Sequence, residues 1–67
     1  MNIEEAKEKL LAGEKLTHGY FSEGEFIYIK PGDKSGNIYS EDGVCHDNFW
    51  GLRQLEGWNE NWEVYVI

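Results

Sequence analysis

Thirteen acidic against 6 basic side chains give this chain of 67 residues a formal net charge of -7. At that length it makes a single domain, residues 1–67, burying only about 60% of the surface its unfolded form exposes. The charge repels a phosphate backbone and argues against direct nucleic-acid binding, and no apolar run approaches the roughly 20 residues that cross a bilayer.

The first stretch, "NIEEAKEKLLAG", opens with Asn2 as an N-cap and Glu5 three residues on, the two halves of a capping box. Ile3, Ala6, Leu10 and Leu11 recur at helical spacing, Glu5 and Lys9 stand one turn apart, and Gly13 supplies a C-terminal stop. About 11 residues are too few for a helix to hold alone in water, so this one needs a sheet to lie on. Acids at the start, where a secretory signal carries bases, point to a soluble cytoplasmic protein.

The sheet follows at once. "KLTHGYF" and "EFIYIK", separated by "SEG", predict a hairpin over 15–21 and 25–30. Phe26 and Tyr28 fall on one face of its second strand and Ile27 and Ile29 on the other, the pattern of a strand that is central or lies at an interface. "PGDKSG" then breaks the chain. Asp33 to Asn37 begins like a calcium loop, but Ile38 stands where the sixth-position glycine belongs, so the stretch is read as a turn. "NIYS", the turn "EDG" and the returning "VCHDNFW" predict a second hairpin. In the last strand, "NWEVYVI", Trp62, Val64 and Val66 share one face, with Glu63, Tyr65 and Ile67 on the other. The whole reads as α+β, a short N-terminal helix packed on a small antiparallel sheet of about four to five strands.

Catalytic constellations are missing from this sequence. Cys45 has no second cysteine to pair with, which excludes an internal disulfide and suits a reducing compartment. "CHD" at Cys45, His46 and Asp47 collects ligand types, yet neighbours on a strand point to opposite faces and cannot converge. His18 reads as a half-buried, hydrogen-bonded ring, and Glu41 and Asp42 fall in a turn that favours acids. With no phosphate loop and no serine elbow, neither an enzyme, a cofactor nor a metal site is expected.

All three tryptophans lie in the last 20 residues. Trp62 belongs to the final strand and to the core. Trp50 and Trp58 flank the irregular "GLRQLEGWN", either as an interface or pocket or as rings a small domain needs to close its core.

The order "IEEAKEKLLAGEKLTHGYFSEGEFIYIKPG", followed at the far end by "WNENWEVYVI", resembles a family of small phage and prophage domains of formerly unknown function. That family includes Thoeris anti-defence proteins that act as sponges for cyclic nucleotide signals, and some members described as anti-CRISPR proteins. "LLAGEKLTHGYF", "EFIYIKPG" and "NWEVYV" occupy the places of its helix end, central strand and terminal Trp-Glu-Val. The match covers roughly half of the chain. Thr17 and His18 stand where the family tends to have arginine, and Phe21 where it has tryptophan.

The resemblance implies a phage-encoded anti-defence protein acting in the host cytoplasm, in one of two ways. As a sponge, a homo-oligomer sequesters a cyclic or ADP-ribose-derived nucleotide at a subunit interface. Tyr20, Phe21 and Trp50 then stack on the base, Arg53 meets a phosphate and Asn61 reads a base or ribose edge, with Trp58 beside them. As an inhibitor, an acidic surface of Glu4, Glu5, Glu8, Glu23, Glu25, Glu41, Asp42 and Asp47 docks on the nucleic-acid-binding surface of a host defence complex such as a CRISPR effector. Loss of the arginine leaves only Lys15, His18 and Arg53 for phosphate, which favours the inhibitor on charge.

Overall fold

The computed structural model describes residues 1–32 and 36–66. A helix α1 (Ile3–Leu11) is followed by β1 (Leu16–His18), β2 (Ile27–Ile29), β3 (Ile38–Ser40) and β4 (Cys45–His46), then a 3-10 turn at Glu56–Trp58 and β5 (Trp62–Val64). The strands form one antiparallel sheet in the order β4-β3-β2-β1-β5, so the last strand returns beside the first. The fold is α+β, with the helix laid on one face of that sheet.

The capping box forms as its residues dictate. Asn2 Oδ1 accepts from Glu5 N at 2.9 Å, and Glu5 Oε1 accepts from Asn2 N at 3.2 Å. Glu5 thus turns its carboxylate to the cap and not to Lys9. Ala6 and Leu10 are buried, whereas Leu11 is 77% exposed, because 100° of helical rotation carries it off the Ala6–Leu10 stripe. Gly13 ends the helix at φ 94°, a conformation that costs other residues a clash at Cβ.

The core consists of Ala6, Leu10, Leu16, Ile27, Ile38, Phe49 and Trp62, with His18 as its buried polar member. Trp62 is fully buried and donates its indole N–H to Trp58 O at 2.7 Å. A ring of that size and a satisfied donor supply much of what so short a chain can bury.

Several sequence expectations shorten or shift. The hairpin expected over 15–21 and 25–30 keeps only Leu16–His18 and Ile27–Ile29 as strand, because Tyr20 and Phe21 turn back: Phe21 N donates to His18 O at 2.9 Å. "VCHDNFW" is strand only at Cys45–His46, after which the backbone coils, with Leu52 N donating to Asn48 O. Val64 and Val66 are 38% and 85% exposed, since β5 is an edge strand with β1 on one side only. The turn expected at Asp33 to Asn37 lies mostly outside the described residues, as does Ile67.

Candidate functional site

Antiparallel pairing sorts the loops to two ends of the sheet. His18 faces Trp62 and Ile27 faces Ser40, so the β1–β2 loop, the β3–β4 turn and the approach to β5 all leave from one end. The start of α1 is tied there too: Ile3 N donates to Asn59 O at 2.9 Å and the Met1 ammonium to Trp62 O at 2.8 Å. This end carries Glu4, Glu5, Glu23, Glu25, Glu41 and Asp42 of the expected acidic set, together with Glu56 and Glu60. Glu8 lies midway along α1, and Asp47, beyond β4, lies at the opposite end. That opposite end carries Lys15 and Lys30 along with Glu14, so most acids collect at the loop end while these two lysines lie away from it.

His18 is the knot of the loop end. Its Nδ1 accepts from Tyr20 N at 3.0 Å, which leaves the ring proton on Nε2, directed at the carbonyls of Glu60 (2.6 Å) and Gly57 (3.1 Å). Trp58, Trp62 and Tyr20 surround the ring with centroids 4.5, 4.6 and 4.8 Å away. A single buried imidazole therefore fixes both the β1–β2 loop and the segment before β5. Its role is the hydrogen-bonded one read from the sequence, with deeper burial at 3% exposed.

Of the six expected binding residues, Tyr20, Phe21 and Arg53 gather on Trp58, at 4.9, 5.9 and 5.3 Å from its ring centroid, while Trp50 packs on Phe49 and Trp62. Phe21 and Trp58 are half-buried against Trp62, with centroids 5.9 and 6.0 Å from it. Arg53 lies with its guanidinium carbon 3.8 Å from the Phe49 ring centroid and 5.3 Å from that of Trp58, and Nη1 donates to Phe49 O at 3.1 Å. Its Nε is buried with no hydrogen-bond partner among the described residues. Burial pulls the Arg53 guanidinium below its ordinary pKa, and the charge of Glu25 opposes that shift. The guanidinium thus packs against two rings, with one of its donors spent on Phe49 O. Asn61 takes the left-handed conformation, φ 71°, at the turn into β5, where Asn is among the residues that tolerate it.

Trp50 and Arg53 do share the wall of an open cleft of about 390 Å³ with Ile3, Glu4, Lys7 and Asn59. The Lys7 ammonium lies 5.2 Å from the Trp50 ring centroid, a cation already placed at the face a base would need. Glu4 in the same wall opposes an anionic ligand.

Tyr20 is different, because it stays 64% exposed while its ring packs edge-on to Trp58 at 4.9 Å. It folds over Gly57, where an added Cβ would collide with the Tyr20 hydroxyl and ring. Leu52 and Leu55, 76% and 77% exposed, stand on the same 50–58 segment. Sequence reasoning missed both leucines. Their signal was apolar spacing of three in "GLRQLEG", a stretch too short and too glycine-bounded to extend it into a helix.

Among the described residues no group of three His, Cys, Asp or Glu side chains is placed to hold a metal ion. Cys45 is exposed, with Sγ 3.5 Å from Asp47 Oδ1, while His46 turns to Ser40 Oγ at 3.1 Å on the other face, as strand alternation requires. No described helix is long and apolar enough to cross a membrane. No protein-family model, curated protein or solved structure matches the chain.

Proposed function

We propose that this chain is a non-catalytic, phage-encoded anti-defence protein of the anti-CRISPR type. Its acidic loop end seats in a basic nucleic-acid-binding cleft of a host defence complex and keeps nucleic acid out. The observation that carries this reading is the make-up of the loop end: exposed Tyr20 and Leu55 on a rigid aromatic base, with Glu23, Glu56 and Glu60 on the same loops. Apolar anchors set among charges of one sign are what a cleft lined by lysine and arginine recognises. Rigidity helps, because His18 already orders these loops and binding costs less entropy.

A second reading, capture of a nucleotide immune signal, has the Trp50–Lys7–Arg53 cleft behind it. Glu4 in the wall of that cleft and the packing of Arg53 on Phe49 favour the first. The experiment is a binding assay against a panel of purified, guide-loaded CRISPR effectors, run with and without target DNA. The expected result is capture of one effector that target DNA abolishes and that weakens at least tenfold between about 0.1 and 0.5 M salt, as screened surface charges should. Binding that ignores both DNA and salt, or failure to bind any effector alongside tight nucleotide binding, contradicts the proposal.

A further inference from the structure

The helix and the 49–58 segment cover one face of the sheet; the other is a row of rings. Phe26 stacks on Tyr65 at 4.7 Å and 30°, lies 6.1 Å from Tyr28, and Tyr28 stacks on Tyr39 at 5.9 Å and 25°. All four are half-buried, and no described element of the chain lies over them. Strand alternation places Lys15 and Lys30 on the same face, at the end away from the acidic loops. Their ammonium groups lie 5.9 Å from the Phe26 centroid and 5.7 Å from the Tyr39 centroid. Glu63, opposite Thr17 in the β1–β5 register, is on this face as well, nearer the loop end.

We propose that this ring-lined face is the interface with a second copy of the chain. A nucleic-acid strand is the other occupant that stacks on rings, but two lysines do not offset a charge of -7. A second copy meets the charges as they are arranged. A two-fold axis lying between the sheets and across the strands runs the two sheets antiparallel. It turns the basic end of each toward the acidic end of the other, with Lys15 toward Glu63 and Lys30 toward the Glu41–Asp42 turn.

The rings then interdigitate as in any pair of sheets packed about 10 Å apart. A standard interface takes about 800 Å² from each partner. The body measures 30 × 26 × 20 Å, so its largest side is of that order. Such a dimer also supplies the second apolar layer that a domain of this size otherwise lacks. Glu56 and Glu60, in the segment that packs on the helix side, stay free for the proposed function, whereas the Glu41–Asp42 turn is engaged by the dimer.

Sedimentation equilibrium over a concentration series tests it, on wild type, Tyr28→Glu, Lys15→Glu and the double variant Lys15→Glu/Glu63→Lys. Wild type is expected at twice the 7.8 kDa chain mass in the micromolar range. Tyr28→Glu, which inserts an unpaired charge among the rings, should weaken the dimer by more than about tenfold. Lys15→Glu should weaken it too, and adding Glu63→Lys should restore it to within about threefold of wild type, with thermal melts of all three unchanged, since the two residues are also diagonal neighbours within one chain. A wild type that stays monomeric at millimolar concentration overturns the proposal, as does a dimer indifferent to Tyr28→Glu or a charge swap that restores nothing.

Discussion

His18 shows how one residue can serve the fold and the binding surface together. Replacing it by Phe keeps the ring and the volume but leaves Tyr20 N and the Gly57 and Glu60 carbonyls without their partner. The expected loss is about 2 kcal/mol, or a fall of roughly 10 °C in Tm for a domain this small, read by calorimetry. Arg53 behaves in the opposite way. Its aliphatic stem and flat head pack between Phe49 and Trp58, while its charge bears a desolvation penalty. Arg53→Met should therefore leave stability within about 1 kcal/mol of wild type, whereas Arg53→Ala should cost about 1–2 kcal/mol through lost packing. Denaturant titration separates the two, and a large loss for Met would restore Arg53 as a charge that the fold or a ligand needs.

At the level of elements, the β3–β4 turn gives a clean pH dependence. Gly43 at φ 83° closes it, and the Asp42 carboxylate accepts from the Ser40 hydroxyl and from Val44 N. Chiefly the Ser40 contact, then the Val44 amide, holds the Asp42 pKa below its ordinary value of 3.8. A carboxyl whose folded pKa is depressed contributes stability above its unfolded value and loses it as pH falls through the folded one. Asp42→Asn should accordingly lower Tm slightly above pH 4 and narrow its difference from wild type as pH falls below 3.8, in thermal melts run from pH 2 to 6.

What the sequence disclosed at this scale follows how local each interaction is. The capping box, the Gly13 stop and the Trp62 strand are written in neighbouring residues, and all three form. The strand ends were illegible because a tertiary contact ends β1: nothing near His18 in sequence announces that the carbonyls of Gly57 and Glu60, about 40 residues on, will accept its ring N–H. The same contact shapes how the expected binding residues meet around Trp58. Phe21 and Trp58 are drawn inward around that ring, and Tyr20, held by its backbone amide, is left outside.

For the whole molecule, the arrangement of charge says more than its sum. A formal charge of -7 spread evenly is ordinary solubility. Here most of the acids gather where the loops leave the sheet, and the two sheet-face lysines sit at the far end. Two surfaces follow, an acidic loop end for a basic partner and a ring-lined sheet face for a second copy. The acidic loop end is tested by keeping the charge change constant and moving its position. One variant carries Glu23→Gln, Glu56→Gln and Glu60→Gln at the loop end; the other carries Glu8→Gln, Glu14→Gln and Asp47→Asn elsewhere. Measured by calorimetric titration into the effector that wild type captures, the loop-end variant should lose at least tenfold in affinity and the other less than about threefold. Equal losses in the two variants would mean that net charge, and not the loop end, makes the contact.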